Sequence, residues 1–314
     1  MILQRFERML VSLLLVAGAS PIGAATYVLP SRCVGGLFYV YPRTLDGKEM
    51  KFFTDTGGGL FVTEEVVVRL GLSTFQSKGD SGEPERMAVL PQFSQDATIP
   101  PLDTPRGALP IGSSKGRPYD GMLGQAWFRD RVWTFDYARG QLKLHTVGPR
   151  ATDPIHSVEL GFPVDRRGHR ETNFPRVQIK VDGESMDMLL DTGATIALAP
   201  AALLQLADRG PRTRATSFIV RTIFDRWRRK HPDWPVIDRA DSRVGEPMIA
   251  VPKIVIGGYD VGPVWFTRRE DENFHDFMSS MMDRRVEGAV GGSALRYLTV
   301  TVDYPRSVAH FSRP

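Results

Sequence analysis

Two aspartates carry the chemistry this sequence offers. Asp55 closes the run Phe52-Phe53-Thr54 and opens Asp55-Thr56-Gly57-Gly58. Asp191 closes Leu189-Leu190 and opens Asp191-Thr192-Gly193-Ala194. A single Asp-Thr-Gly is a common turn tripeptide. Two copies, each after an apolar run and before a helix-like segment, point to carboxylates that are meant to meet. Carboxylates held about 3 Å apart cannot both ionise comfortably, so they share one proton. The ionised member is then a general base toward a water between them, and the protonated member polarises or protonates a scissile amide. Gly57 and Gly193 let backbone N–H groups approach each carboxylate, and Thr56 and Thr192 supply hydroxyls that can bond across the interface and lock the two loops.

The elements that position the pair read as two copies of one plan. Gly36 to Tyr41 predicts a strand, Asp46-Gly47 a hairpin turn, and Lys51 to Thr54 the partner strand that delivers Asp55. Thr63 is a good N-cap for a short helix through Leu70, stopped by Gly71. In the second half Val177 to Val181 alternates, Asp182-Gly183 turns, Met186 to Leu190 leads into Asp191, and Pro200 to Leu206 reads as the matching helix. The later segments Asp120 to Phe128 and Glu287 to Leu295 repeat, as do Val132 to Asp136 and Leu298 to Asp303, each of the latter followed by a tyrosine.

The offsets test the repeat. Asp55 to Asp191 is 136 positions, whereas Gly121 to Gly288 and Asp136 to Asp303 are each 167, so the second copy carries a 31-residue excess. The expected place is an insertion at about 211–241, where Phe218, Ile219, Ile223, Phe224 and Trp227 fall at near-helical spacing. Gly148, Pro149 and Pro154 mark a linker at 147–155. The expected organisation is a signal peptide at 1–25, a first lobe at 26–150 and a second at 151–314.

Composition bounds the function. The 314 residues are long enough for two cores, and a net charge of +4 without a long Lys/Arg block does not imply nucleic-acid binding. With Cys33 alone, no internal disulfide can form, so packing must hold the fold. Arg5 and Arg8, the apolar run Met9 to Ala19, and Gly23-Ala24-Ala25 follow the order of a secretory signal peptide. That run is short for a stable membrane span, though an uncleaved N-terminal anchor is the alternative. Export implies a periplasmic or secreted protein. There is no His-Glu-x-x-His zinc motif and no Gly-x-Ser-x-Gly nucleophile elbow, and the six histidines are scattered, so neither a metal site nor a cofactor is expected.

On these motifs the chain resembles the bilobal aspartic peptidases of the pepsin and retropepsin group, and is most similar to bacterial proteins with two retropepsin-like domains in tandem. The resemblance covers roughly residues 30–147 and 160–312. It implies an all-β fold of two similar β-barrel lobes with short helices and a helical insertion in the second lobe. It implies Asp55 and Asp191 as the catalytic dyad. The later motifs Met122-Leu123-Gly124 and Ala289-Val290-Gly291 then brace the active-site loops through Gly124 and Gly291. The implied function is an aspartic endopeptidase acting on polypeptides as a monomeric pseudo-dimer; a catalytically inactive peptide- or protein-binding module on the same fold is the alternative. The loop at 76–92 is the positional candidate for a flap over the substrate. One departure stands out: the residue after each Asp-Thr-Gly is Gly58 or Ala194, where pepsin-like enzymes usually place a hydroxyl.

Overall fold

The computed structural model describes residues 25–79, 82–113, 115–148 and 154–314. The expected signal segment, up to residue 24, and most of the expected linker, residues 149–153, lie outside the described residues. Among the described residues no helix is long and apolar enough to cross a membrane.

Gly35 and Gly36 set the first turn, with φ of 60° and 80°. Those values suit a two-residue hairpin whose twist matches the flanking strands. The turn joins the strands Ser31–Val34 and Leu37–Val40, which pair with Val34 opposite Leu37. Leu37–Val40 pairs with Phe52–Thr54, and Gly121–Leu123 runs parallel to Phe52–Thr54 on its other side. The second half repeats this unit. Arg176–Val181 and Glu184–Leu190 form a hairpin, and Gly288–Val290 lies parallel to Glu184–Leu190 with Leu190 opposite Val290. In both halves the apolar run before the aspartate is a central strand, which explains why it reads as continuous apolar residues rather than as an alternation.

An eight-stranded sheet is drawn from residues 31–123 and a nine-stranded sheet from residues 176–290. A six-stranded sheet takes three strands from each half. The halves meet there at Val132–Asp136 against Thr299–Asp303, with Thr134 opposite Thr301 at the centre of the register. The hydroxyls of that pair lie 2.6 Å apart, so the two copies touch at equivalent residues. The molecule is therefore bilobal and all-β with short helices. Among the described residues no sheet closes on itself, which corrects the expectation of barrels: the eight-stranded sheet ends at Ser31–Val34 on one edge and Thr74–Lys78 on the other.

The first short helix is Glu64–Leu70. The Thr63 hydroxyl accepts from the Val66 N–H, and Gly71 ends the helix at φ 62°. Its counterpart is not Pro200–Leu206. Phe61–Thr63, the strand before the first helix, pairs antiparallel with Gly121–Leu123, Phe61 opposite Met122. In the second lobe Ser217–Val220 takes that place, with Phe218 opposite Ala289, and the helix Arg221–Lys230 follows it. Asp55 to Phe61 spans 6 positions and Asp191 to Phe218 spans 27, so 21 of the excess residues precede this strand. They form the strand Thr195–Ala197, the helix Pro200–Leu206 and the strand Thr213–Ala215, which pairs back on the first. Phe61 to Met122 spans 61 positions and Phe218 to Ala289 spans 71, which accounts for the other 10. The helical insertion thus lies mainly at 195–215 rather than 211–241. Phe218 and Ile219 belong to a strand, while Ile223, Phe224 and Trp227 form the buried face of the helix.

Large aromatic side chains fill the space above the six-stranded sheet. Trp127 lies 4.5 Å from Trp133 between ring centroids, and Phe128 packs edge-on to Trp133 at 5.2 Å. The Trp133 indole N–H donates to the Phe128 carbonyl at 3.0 Å. Trp133→Ala is expected to cost about 3–5 kcal/mol of stability, read as a lowered denaturant midpoint; an unchanged midpoint would contradict this core.

Candidate active site

Each aspartate is fixed first by its backbone. The Asp55 N–H donates to the Leu123 carbonyl at 3.1 Å, and the Asp191 N–H to the Val290 carbonyl at 3.0 Å. The later apolar-apolar-Gly segments therefore hold the ends of the aspartate strands. The loops then turn tightly, with the Gly58 N–H donating to the Asp55 carbonyl at 3.1 Å and the Ala194 N–H to the Asp191 carbonyl at 3.3 Å. The Gly57 N–H donates to Asp55 Oδ1 at 2.8 Å, and the Gly193 N–H to Asp191 Oδ1 at 2.9 Å.

The threonines join the loops. The Thr56 N–H donates to the Thr192 hydroxyl at 3.2 Å and the Thr192 N–H to the Thr56 hydroxyl at 3.0 Å. The Thr56 hydroxyl donates to the Leu190 carbonyl at 2.6 Å. Both threonines are fully buried, so these bonds are shielded from water.

Glycine is required where the loops cross. A Cβ on Gly193 would fall 2.1 Å from Asp55 Cγ, and one on Gly57 would fall 2.8 Å from Asp191 Cγ. Each lobe's glycine thus lies against the other lobe's carboxylate. A Cβ on Gly124 would fall 2.1 Å from the Gly58 carbonyl oxygen, and one on Gly291 the same distance from that of Thr216. Gly58 also has a local cause, because a Cβ there would sit 2.7 Å from both Asp55 Oδ2 and Met122 Sδ. The sequence-predicted residues Asp55, Thr56, Gly57, Asp191, Thr192, Gly193, Gly124 and Gly291 are all brought together.

The two carboxyls are hydrogen-bonded to each other. Burial pushes Asp191 well above the usual carboxylate range, and the charge of Asp55 and the bond to it push the same way. Burial also raises Asp55, but the bonds from Asp191 and from the Gly57 N–H oppose the rise. Both carboxyls are raised, Asp191 the further, so the pair titrates as a unit that holds one proton and one negative charge.

The pair lies on the floor of a cleft of about 1100 Å³. Leu37, Tyr39, Phe53, Met122 and Phe218 make apolar parts of its wall. Tyr119 stacks on Phe53 at 5.4 Å. The hairpin of Thr74–Lys78 and Pro84–Val89 occupies the place expected of a flap, yet no described residue of it lines this cavity. The first-lobe wall comes instead from residues 115–119, and the second-lobe wall includes Asp241, Arg243 and Arg269. Sequence reading missed these residues, since none belongs to a repeated motif; Arg269 ends the strand Val264–Arg269, and residues 115–119 and Arg243 lie on loops. Asp120 and Glu287 are kept from the dyad by other partners: Asp120 accepts from the Lys51 N–H at 2.8 Å, and Glu287 bonds His275 at 2.7 Å. Asp136 and Asp303 cap turns, accepting from the Arg139 and Arg306 N–H groups at 3.0 Å each.

No protein-family model matches the chain, and no curated protein matches it. Solved structures do. An aspartic proteinase from Irpex lacteus superposes with a TM-score of 0.50 at 10% identity, over 92% of this chain and 97% of that one. Conglutin gamma, a basic 7S globulin from lupine seeds, gives 0.46 at 13% identity over 92% and 95% of the two chains. A basic 7S globulin from soybean gives 0.45 at 11% identity over 91% and 94%. The likeness to the proteinase shows a pepsin-like fold.

Two measurements test the geometry. Thr56→Val removes the hydroxyl that joins the loops while keeping the volume, and is expected to lower stability by about 1–3 kcal/mol in denaturant unfolding. The dyad's proton sets a pH dependence. A carboxyl raised by folding binds its proton more tightly in the native state, so its stabilisation is complete below the ordinary carboxyl range near pH ~4. It is lost as pH rises toward the native value of Asp191. Asp191→Asn is expected to flatten that decline; a variant curve parallel to the wild type would contradict the assignment.

Proposed function

We propose that the chain is an aspartic endopeptidase. The observation that carries this reading is the Asp55–Asp191 pair, hydrogen-bonded across two lobes on the floor of an open cleft. A polypeptide lying in the cleft presents its carbonyl to the dyad. Asp55, ionised, takes a proton from a water as the water oxygen attacks the carbonyl carbon, and Asp191 gives its proton to the carbonyl oxygen. The resulting gem-diol collapses when the proton held by Asp55 passes to the amide nitrogen and the C–N bond breaks. Asp191 recovers a proton from the diol, and the pair returns to its starting state. The threonine bonds and the loop glycines keep the two carboxyls in register throughout, so little reorganisation accompanies the proton transfers.

The tandem Asp-Thr-Gly repeat supports a likeness to the bacterial tandem retropepsin-like proteins. The order of charged, apolar and small residues in 1–25 supports export to the periplasm or beyond the cell, with the lobes at 26–150 and 151–314 acting as a single-chain pseudo-dimer. The bilobal frame without the chemistry would be a peptide-binding module, and one assay separates the two.

An unfolded protein substrate is expected to be cut by the wild type, and Asp55→Asn or Asp191→Asn to lower the rate by at least about 10³-fold. With no hydroxyl after either Asp-Thr-Gly, and both carboxyls raised, the singly protonated pair persists to higher pH. Maximal cleavage is therefore expected above the strongly acidic range of about pH 2–3. Equal inertness of wild type and variants, with peptide binding retained, would favour the binding module.

A further inference from the structure

We propose that the cleft selects polypeptides carrying an acidic side chain beside the bond to be cut, recognised by Lys115 and Arg117 of the first lobe and Arg243 of the second. The inference rests on the endopeptidase reading and adds a substrate class to it.

The charges of the cleft do not cancel. Lys115 and Arg117 are exposed, line the cavity, and pair with no carboxylate among the described residues. The Arg117 guanidinium lies over the Phe61 ring, 4.5 Å from its centroid, and donates to the Ser113 carbonyl. Those contacts orient the cation without neutralising it. On the facing wall one buried carboxylate serves two guanidiniums: Asp241 is 3.0 Å from Arg269 and 3.4 Å from Arg243. The other acidic groups of that wall are matched from outside the cavity, Glu246 by Arg268 at 2.6 Å and Glu270 by Arg221. The remainder is positive on both sides.

The cations are also close to the chemistry. Arg243 donates to the Thr195 carbonyl at 2.6 Å, and the Thr195 hydroxyl donates to the Gly193 carbonyl at 2.6 Å. Its guanidinium is thus anchored to the loop that carries Asp191, with its outer surface toward solvent. Arg117 stands two residues before Tyr119, whose ring stacks on Phe53, two residues before Asp55. An extended peptide across the dyad would place its reacting bond among the apolar residues of the floor and its flanking side chains between these cations. The net positive charge of the two walls favours a carboxylate there and repels an ammonium group.

The test uses quenched fluorescent peptides of one length, apolar at the central bond, with Ala, Asp or Lys scanned through three positions on either side. At about pH 5.5 the peptide carboxylates are ionised. The wild type is expected to give kcat/KM for Asp about fivefold above Ala at one position or more, with Lys below Ala. The double variant Lys115→Glu, Arg117→Glu should shift the Asp-to-Lys ratio toward Lys, and Arg243→Gln should reduce it. Equal kcat/KM for the three peptides at every position, or a ratio unmoved by the double variant, would overturn the proposal while leaving the endopeptidase reading intact. If no peptide is cut, the endopeptidase reading fails, and fluorescence anisotropy of the same peptides decides the recognition: tighter binding of Asp peptides supports it, and equal or absent binding overturns it.

Discussion

Two carboxyl groups forced into one low-dielectric space set the terms for everything around them. Desolvation alone would drive both to the neutral form. Their mutual bond and the Gly57 N–H oppose that rise at Asp55. The result is one proton and one negative charge in a site that cannot hold two charges. Such a site persists only if the surrounding backbone is rigid, because either carboxyl could otherwise swing out to water and relax.

Rigidity comes from reciprocity. The bonds from the Asp55 and Asp191 N–H groups to the Leu123 and Val290 carbonyls are counterparts, as are the Gly58 and Ala194 turn bonds, and the loops are tied together by Thr56 and Thr192. The lobes meet a second time at Thr134 and Thr301 in the shared six-stranded sheet. Beyond that frame the copies differ. The second lobe's added hairpin touches the first through a bond from the Ala215 N–H to the Gly35 carbonyl at 2.7 Å. The cleft walls are unlike in sequence as well, with a Lys-Gly-Arg loop facing an Asp-Arg cluster. A symmetric floor under asymmetric walls separates the chemistry from the choice of substrate.

Much of this was legible in the sequence, for identifiable physical reasons. Asp55 and Asp191 could be read because a buried strand entering a tight Asp-Thr-Gly loop leaves a continuous apolar run next to small residues. The helix Glu64–Leu70 could be read because its N-cap and left-handed C-cap are local. The insertion could be counted but was placed wrongly. Pro200–Leu206 and Arg221–Lys230 both look like the short helix after the aspartate, and only strand pairing shows that the second follows the equivalent strand. The closed barrels were wrong because closure depends on the pairing of edge strands. The cleft walls were invisible because Tyr119, Arg117 and Arg243 reach the site through long-range packing of loops. The shared proton depends on burial and on bonds between loops distant in sequence, which no spacing encodes.

The shared proton can be observed directly by carbon NMR of protein labelled at the aspartate Cγ, with the two resonances assigned through Asp55→Asn and Asp191→Asn. Over a pH titration the pair should lose its protons in two well-separated steps, the later one far above the ordinary carboxyl range near pH ~4, with Asp191 shifting most in that later step. Two independent titrations near that ordinary value would contradict a dyad that holds one proton between its lobes.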